Sequence, residues 1–420
     1  MLASIPDLTA AQDHWLWALV AVNVLMGFVL ASAIFFVWLE RKVSGRIQDR
    51  LGPTRVGGKF GWLQTIADGI KLLCKEDTIP AAADQFLFRL APYLALAGPF
   101  AAFLALPFGN GLVGRELGIA VFFMLAALST EVFGVIMAGY GSGSKWALFG
   151  GIRESAQVVS YEVPRSLCVI VGIVVAGSLN LMEVVRQQEG FFWSWHLFHD
   201  PFNFAACCVF FICGMSSCKR APFDLAEAES ELVAGFHTEY SGFRWLLFFM
   251  AEYGSMFAIS AIAASLWLGG WHSGFLPVDP SDWLAVQMGT AEDPAVVGWL
   301  LGNVVNVTVF ILKGWVGVFI MMWVRWTLPR LRIDQVMMTC LKYLTPISCF
   351  LLLAVTVWQL TLDRVSMVAV AWRYGSAIVL ALAVIAWIIQ LWRTPSEAPP
   401  GVTGWARRPP KMPGELVGVR

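Results

Sequence analysis

The sequence predicts an all-α fold, a polytopic bundle of about eight or nine transmembrane helices with an amphipathic surface helix after the first span. Two observations carry this. Of 420 residues, 58% are hydrophobic and 14% charged, whereas an ordinary soluble domain carries roughly 25% charged residues. The charges also fall in blocks separated by long apolar runs, and about 20 apolar residues are enough to cross a ~30 Å hydrocarbon core as a helix. Backbone polar groups find no water in lipid, so runs of that length fold as helices that satisfy them internally. The net charge of zero gives no pointer to nucleic acid.

Nine apolar stretches follow in order, at residues 14–39, 87–108, 116–138, 156–179, 201–217, 243–268, 297–324, 343–361 and 367–392. The first reads as a retained helix. Asp7, Asp13 and His14 precede it, where a cleaved signal would carry positive charge. Pro92 and Pro99 should kink the second, Pro164 interrupts the start of the fourth, and the fifth is short for a straight span. Lys and Arg concentrate in short cytoplasmic loops. With the N-terminus outside, the loops at 40–77, 139–154, 218–244 and 325–342 and the C-terminal tail, counted with Arg393, carry 22 of the 29 basic residues. The other side carries three, Arg115, Arg186 and Arg364. The orientation is therefore N-out and C-in. The chain divides into a core at 1–365, an additional transmembrane helix at 366–393 and a solvated tail at 394–420.

Eight cysteines, at 74, 168, 207, 208, 213, 218, 340 and 349, include no CxxC pair. Neither a zinc site nor an iron–sulfur cluster has its usual ligand spacing. The cysteines read as small hydrophobes packed in the bundle, and no metal is expected.

Three features break the pattern of a simple bundle. After the first span, GWLQTIADGIKLLCKED begins at Gly61. Trp62, Leu63, Ile66, Ile70 and Leu73 recur at helical spacing, with Gln64, Asp68, Lys71 and Lys75 on the opposite stripe, which is the pattern of an interfacial helix. The nearby VGGK is not a phosphate loop, because Pro53 and Phe60 stand where glycine and a hydroxyl residue are required. The second feature is the loop KRAPFDLAEAESELVAGFHTEYSG from Lys219, where Asp224, Glu227, Glu229, Glu231 and Glu239 put five carboxylates within sixteen residues. Phe223, Leu225, Leu232, Val233 and Phe236 interleave with them and point to partial burial. Partly buried carboxylates that repel one another take up protons more readily. The third feature is the set of ionisable residues in or beside spans: Glu131, Glu162 with Arg165, Glu252 and Lys313. Such charges generally face a polar interior. Glu162 and Arg165 are spaced to pair within one helix turn. Glu131, Glu252 and Lys313 have no local partner and are candidates for a proton relay.

With these residues laid out, the chain resembles the H subunits of the bacterial NADH–quinone oxidoreductases, respiratory complex I. The resemblance covers roughly residues 15 to 360. It rests on ERKVSGRIQDRLGPTRVGGKFGWLQTIADGIKLLCKED at 40–77, GGIRESAQVVSYEVP at 150–164, APFDLAEAESELVAGFHTEYSG at 221–242 and RWTLPRLRIDQVM at 325–337. It implies a membrane subunit that joins a peripheral electron-transfer arm to a proton-pumping arm and forms most of a quinone chamber. Quinone, either ubiquinone or menaquinone, is then a substrate, and no metal, flavin or iron–sulfur cluster is bound by this chain. The implied partners are peripheral subunits carrying the terminal iron–sulfur cluster and the quinone headgroup site, small membrane subunits, antiporter-like subunits and lipids of the inner membrane. Arg41, Gln64, Asp68 and Lys71 would sit near the chamber entrance and wall. Phe223, Asp224, Glu227, Glu229, Glu231 and Glu239 would form an acidic loop below it. Glu131, Glu162 and Glu252 would continue a buried acidic path. Arg325, Arg330 and Arg332 match a basic loop that docks the peripheral arm or balances the carboxylates. Residues beyond 365 and Lys313 fall outside the family pattern. The nearest rivals are the membrane anchor of a membrane-bound hydrogenase and a related anchor using another electron donor. A stand-alone transporter is disfavoured by the absence of internal symmetry.

Overall fold

A computed structural model describes residues 15–227, 229–289, 296–361 and 367–393. Among these, eight helices are long and apolar enough to cross a membrane, and a ninth apolar helix is shorter. In order they are α1 (Trp15–Ile47), the surface helix α2 (Gln64–Cys74), α3 (Gln85–Phe103), α4 (Ala120–Gly141) and α5 (Lys145–Ala176). The short α6 (Leu181–Arg186) precedes α7 (Pro201–Ser217) and α8 (Gly242–Trp267). Then come α9 (Pro280–Met288), α10 (Val296–Thr327), α11 (Ile333–Thr361) and α12 (Met367–Arg393). The chain divides into two units, Met1–Arg373 and Tyr374–Arg420. Every residue of the site described below belongs to the first.

Local chemistry sets several of these boundaries. Asp84 caps α3 by accepting from the Phe86 and Leu87 amides. Asp200 caps α7 in the same way, and Pro201 occupies the first turn, where its missing N–H costs nothing. At 17 residues α7 spans only about 26 Å, in keeping with the short fifth stretch. Small residues let α3 and α4 approach closely. A Cβ at Gly98 would lie 2.6 Å from the Ala127 carbonyl oxygen, and one at Gly134 would lie 2.5 Å from the Ala95 nitrogen. Helix α8 runs through the middle of this unit and is buried along nearly its whole length. Phe28 of α1 meets Phe257 of α8, and Phe35 of α1 stacks on Trp315 of α10 at 4.6 Å.

Two expectations are corrected. The fourth span begins at Lys145, eleven residues before its apolar run, so the loop expected at 139–154 shrinks to a few residues after Gly141. Pro164 lies inside that helix without ending it, because neighbouring helices shield the freed backbone groups. The eighth span begins at Ile333, not 343, and contains a π-helical stretch, Met338–Leu344, just before Pro346. A proline cannot supply an N–H to the helical ladder, and a π-bulge absorbs the mismatch. The tail from 394 and Arg364 lie outside the described residues.

Candidate functional site

The loop between α7 and α8 folds inward against α5, and glycine makes that contact possible. Gly235 has φ +59, and a Cβ there would lie 1.7 Å from the Ala226 carbonyl oxygen. Gly150 of α5 admits the loop from the other side, since its Cβ would lie 2.6 Å from the Phe236 nitrogen. The Gln157 amide donates to the carbonyl oxygens of Ser216 and Phe223, each at 2.8 Å. Tyr240 donates to the Phe88 carbonyl and stacks on its ring at 4.0 Å. Phe223, Leu225, Leu232 and Phe236 are buried. The interleaving of acidic and apolar residues thus reports a loop packed into the bundle.

This packing draws charged side chains from seven segments into one largely buried network. Glu40, at the end of α1, accepts from Arg220, Arg325 and the Tyr253 hydroxyl. Arg220 also lies 3.4 Å from the Glu252 carboxylate, too misaligned for a hydrogen bond, and 4.6 Å from the Tyr253 ring centroid. Lys219 bonds Glu131 of α4 at 2.6 Å, and the Ser255 hydroxyl donates to the other oxygen of the same carboxylate. Arg330 bonds Asp224 at 2.8 Å. Glu227 lies beside Glu252 and 3.8 Å from His237. Glu162 pairs with Arg165 at 3.2 Å, as its spacing predicts, and Arg165 reaches Ser217.

Desolvation of so many charges is costly unless every one is paired. Burial works against the charged forms of Lys219 and Arg220. Their carboxylate neighbours, Glu131 for the lysine and Glu40 and Glu252 for the arginine, overcome it and hold both above their ordinary values. Both therefore stay cationic at working pH. Burial raises the Glu227 carboxyl above its usual range, its neighbour Glu252 works against that, and the charge of Asp224 adds to the rise.

The remaining expected residues lie around this centre. Arg41 pairs with Asp68 across α1 and α2, while Gln64 and Lys71 reach the other Asp68 oxygen at 3.3 and 3.5 Å. Burial opposes ionisation of Asp68, but the hydrogen bond and charge of Arg41 outweigh it and hold the carboxyl below its usual value. Trp62, Leu63, Ile66, Ile70 and Leu73 present their apolar stripe outward. Glu231 is exposed and pairs with Arg153. Glu239 is half-buried and Arg332 is exposed. Glu229 opens a single helical turn, and its side chain lies outside the described part. Among the described residues, no cluster of His, Cys, Asp or Glu is arranged to hold a metal ion.

Lys313 does not join Glu131 and Glu252. Its ammonium donates to the carbonyl oxygens of Leu268 and His272, just beyond the far end of α8, and lies 4.3 Å from the Trp195 ring centroid. An apolar cavity of about 240 Å³ is lined by Val20, Val24, Phe28, Phe108, Leu112 and Ile311, among others. Phe28 is about 20 Å along α1 from Arg41, and the lining offers almost no polar surface. This cavity has no part in the ionic site.

Four members of the network escaped the sequence reading as site residues: Glu40, Glu154, Lys219 and Arg220. Glu154 is wholly buried on α5. Gly150, Glu154, Gln157, Tyr161, Pro164 and Cys168 recur at helical spacing, and that stripe of small and polar residues was the available signal. Lys219 and Arg220 enter the sequence reading only as loop charge, and Glu40 only as the first residue of the motif at 40–77.

The family model for NADH dehydrogenase matches residues 19–356. An H subunit of NADH-quinone oxidoreductase from Anaeromyxobacter dehalogenans is 42% identical over 353 residues, 84% of each chain. One from Chlorobaculum tepidum is 42% identical over 344 residues, 81% of this chain and 91% of the relative. Another from Rhizobium meliloti is 41% identical over 336 residues, 78% of this chain and 92% of its own. The matched region holds the surface helix, the acidic loop and all the paired buried charges, and on this likeness the chain belongs to the family of NADH-quinone oxidoreductase H subunits.

Proposed function

We propose that the chain is the quinone-chamber subunit of a proton-translocating NADH–quinone oxidoreductase of the bacterial inner membrane, with its N-terminus outside and its C-terminus cytoplasmic. Residues 1–365 form the working core, and the helix and tail beyond it take no part in the chemistry. The observation that carries this reading is the enclosed network in which Glu40, Glu131, Asp224, Glu227 and Glu252 face Lys219, Arg220, Arg325 and Arg330.

Reduction of a quinone takes up two electrons and two protons, so negative charge develops where water is scarce. Screening there is weak, and nearby carboxyls respond to that charge by changing protonation. Arg41, Gln64, Asp68 and Lys71 line the route by which quinone leaves the lipid for the chamber, and Phe223 contributes to its inner wall. Asp224, Glu227, Glu229, Glu231 and Glu239 sense the reaction, and Glu131, Glu162 and Glu252 carry the change onward. Arg325 and Arg330 balance the carboxylates, while the exposed Arg332 meets the peripheral arm. Partner subunits supply the terminal iron–sulfur cluster and the antiporter-like channels. Replacing Glu227 or Glu229 by Gln is expected to depress coupled quinone reductase activity while the complex still assembles. Normal turnover and pumping in both assembled variants would refute the role.

A further inference from the structure

One carboxyl in the network has no hydrogen-bond partner among the described residues. Glu154 is wholly buried, and neither of its oxygens meets a described donor. Lys219, Glu131, Glu252 and Asp224 are the charged groups around it. Arg220 and Glu227 belong to the same enclosure. An unpaired carboxylate shielded from water is costly, so such a side chain persists only by pairing or by carrying a proton. Among the described carboxylates Lys219 bonds Glu131 alone, with its ammonium 5.6 Å from the Phe236 ring centroid. An ammonium has three donors and Glu131 takes one, so donors are left for a second acceptor. Its backbone sits at φ +52, a conformation rarely kept without a reason.

We propose that Glu154 is the alternative seat of the Lys219 ammonium, so that Glu131, Lys219 and Glu154 form a two-position proton-loading switch. This rests on the coupling role proposed above. In the first position the ammonium bonds the Glu131 carboxylate, and Glu154 is the neutral acid. In the second the ammonium bonds Glu154, whose O–H bond has broken, and the released proton forms a new O–H bond on Glu131. The ammonium keeps its three protons, and the summed charge of the three groups does not change. Each exchange advances one proton from α5 to α4 without leaving a bare charge in the interior.

The test uses the assembled complex in proteoliposomes with Glu154→Gln and Glu154→Asp. Glu154→Gln is expected to keep electron transfer to quinone in leaky membranes, to lower the proton-to-electron ratio, and to remove one carboxylic-acid C=O band from the infrared difference spectrum of quinone reduction. Glu154→Asp is expected to restore the band and the ratio. Should Glu154→Gln not assemble, Glu154→Leu removes the same carboxyl while filling the space with apolar atoms. An unchanged ratio or an unchanged set of bands in an assembled variant lacking this carboxyl overturns the switch. Glu227→Gln separates the two ideas. If it loses coupling while Glu154→Gln keeps it, the network reading stands and only the Glu154 assignment falls.

Discussion

Burial decides what each charged pair contributes. The Arg41 and Asp68 side chains keep 42% and 23% of their exposure, whereas those of Lys219 and Glu131 keep 2% and 5%. An exposed pair is worth about 0–1 kcal/mol, while removing one partner of a buried pair costs about 3–5 kcal/mol. Asp68→Asn is therefore expected to leave the melting temperature of the purified complex nearly unchanged, and Glu131→Ala to lower it clearly. Glu227 gives the pH dependence. Its carboxyl is raised in the fold, so the stability held by its neutral form is complete below the unfolded value. That stability is lost as pH rises through the folded value. Glu227→Gln should remove this part of the alkaline loss, which thermal unfolding across a pH series would reveal. Asp68 has the opposite sign. Its carboxyl is depressed, so its small contribution holds above the unfolded value and fades as pH falls through the folded one.

At the level of elements, the acidic loop depends on a backbone that only glycine provides. At Gly235 a Cβ would overlap the Ala226 carbonyl, whereas at Gly58, also at positive φ, nothing lies within 4 Å. Gly235→Ala should abolish or severely reduce incorporation of the chain into the complex, and Gly58→Ala should carry only local backbone strain. Co-purification with partner subunits distinguishes them. The same elements show what the sequence could reveal. The outward apolar stripe of α2 and the partial burial of the acidic loop were legible, because periodicity and interleaving record burial directly. Glu154 was hidden because Arg153 and Glu154 interrupt the apolar run. Hydropathy therefore placed the helix start after them, although the helix begins at Lys145. Glu131 and Glu252 looked unpartnered because their cations, Lys219 and Arg220, lie far away in sequence. Long-range pairing leaves no local pattern.

For the whole molecule, the eight long apolar helices among the described residues together with the shorter α7 make nine crossings, an odd number that agrees with the opposite sides proposed for the two termini from the basic-residue bias. A fluorescent reporter fused after Arg420 should fold on the cytoplasmic side, and its detection outside would reverse the topology. The enclosed network lies towards one end of the bundle, with α8 at its centre and the loop as its floor. Lys313 is held beyond the other end of α8 by carbonyl oxygens, so no ion pair joins it to the acidic groups. The central claim is that quinone chemistry alters the protons of side chains shielded from bulk water. Redox-triggered infrared spectroscopy of the assembled complex tests it most directly, with Glu227→Gln as the reference. The account expects a carboxyl signal that develops on quinone reduction in the native complex and is missing from the variant. Identical spectra from the two, with Glu227 ionised throughout turnover like a hydrated surface residue, would contradict it.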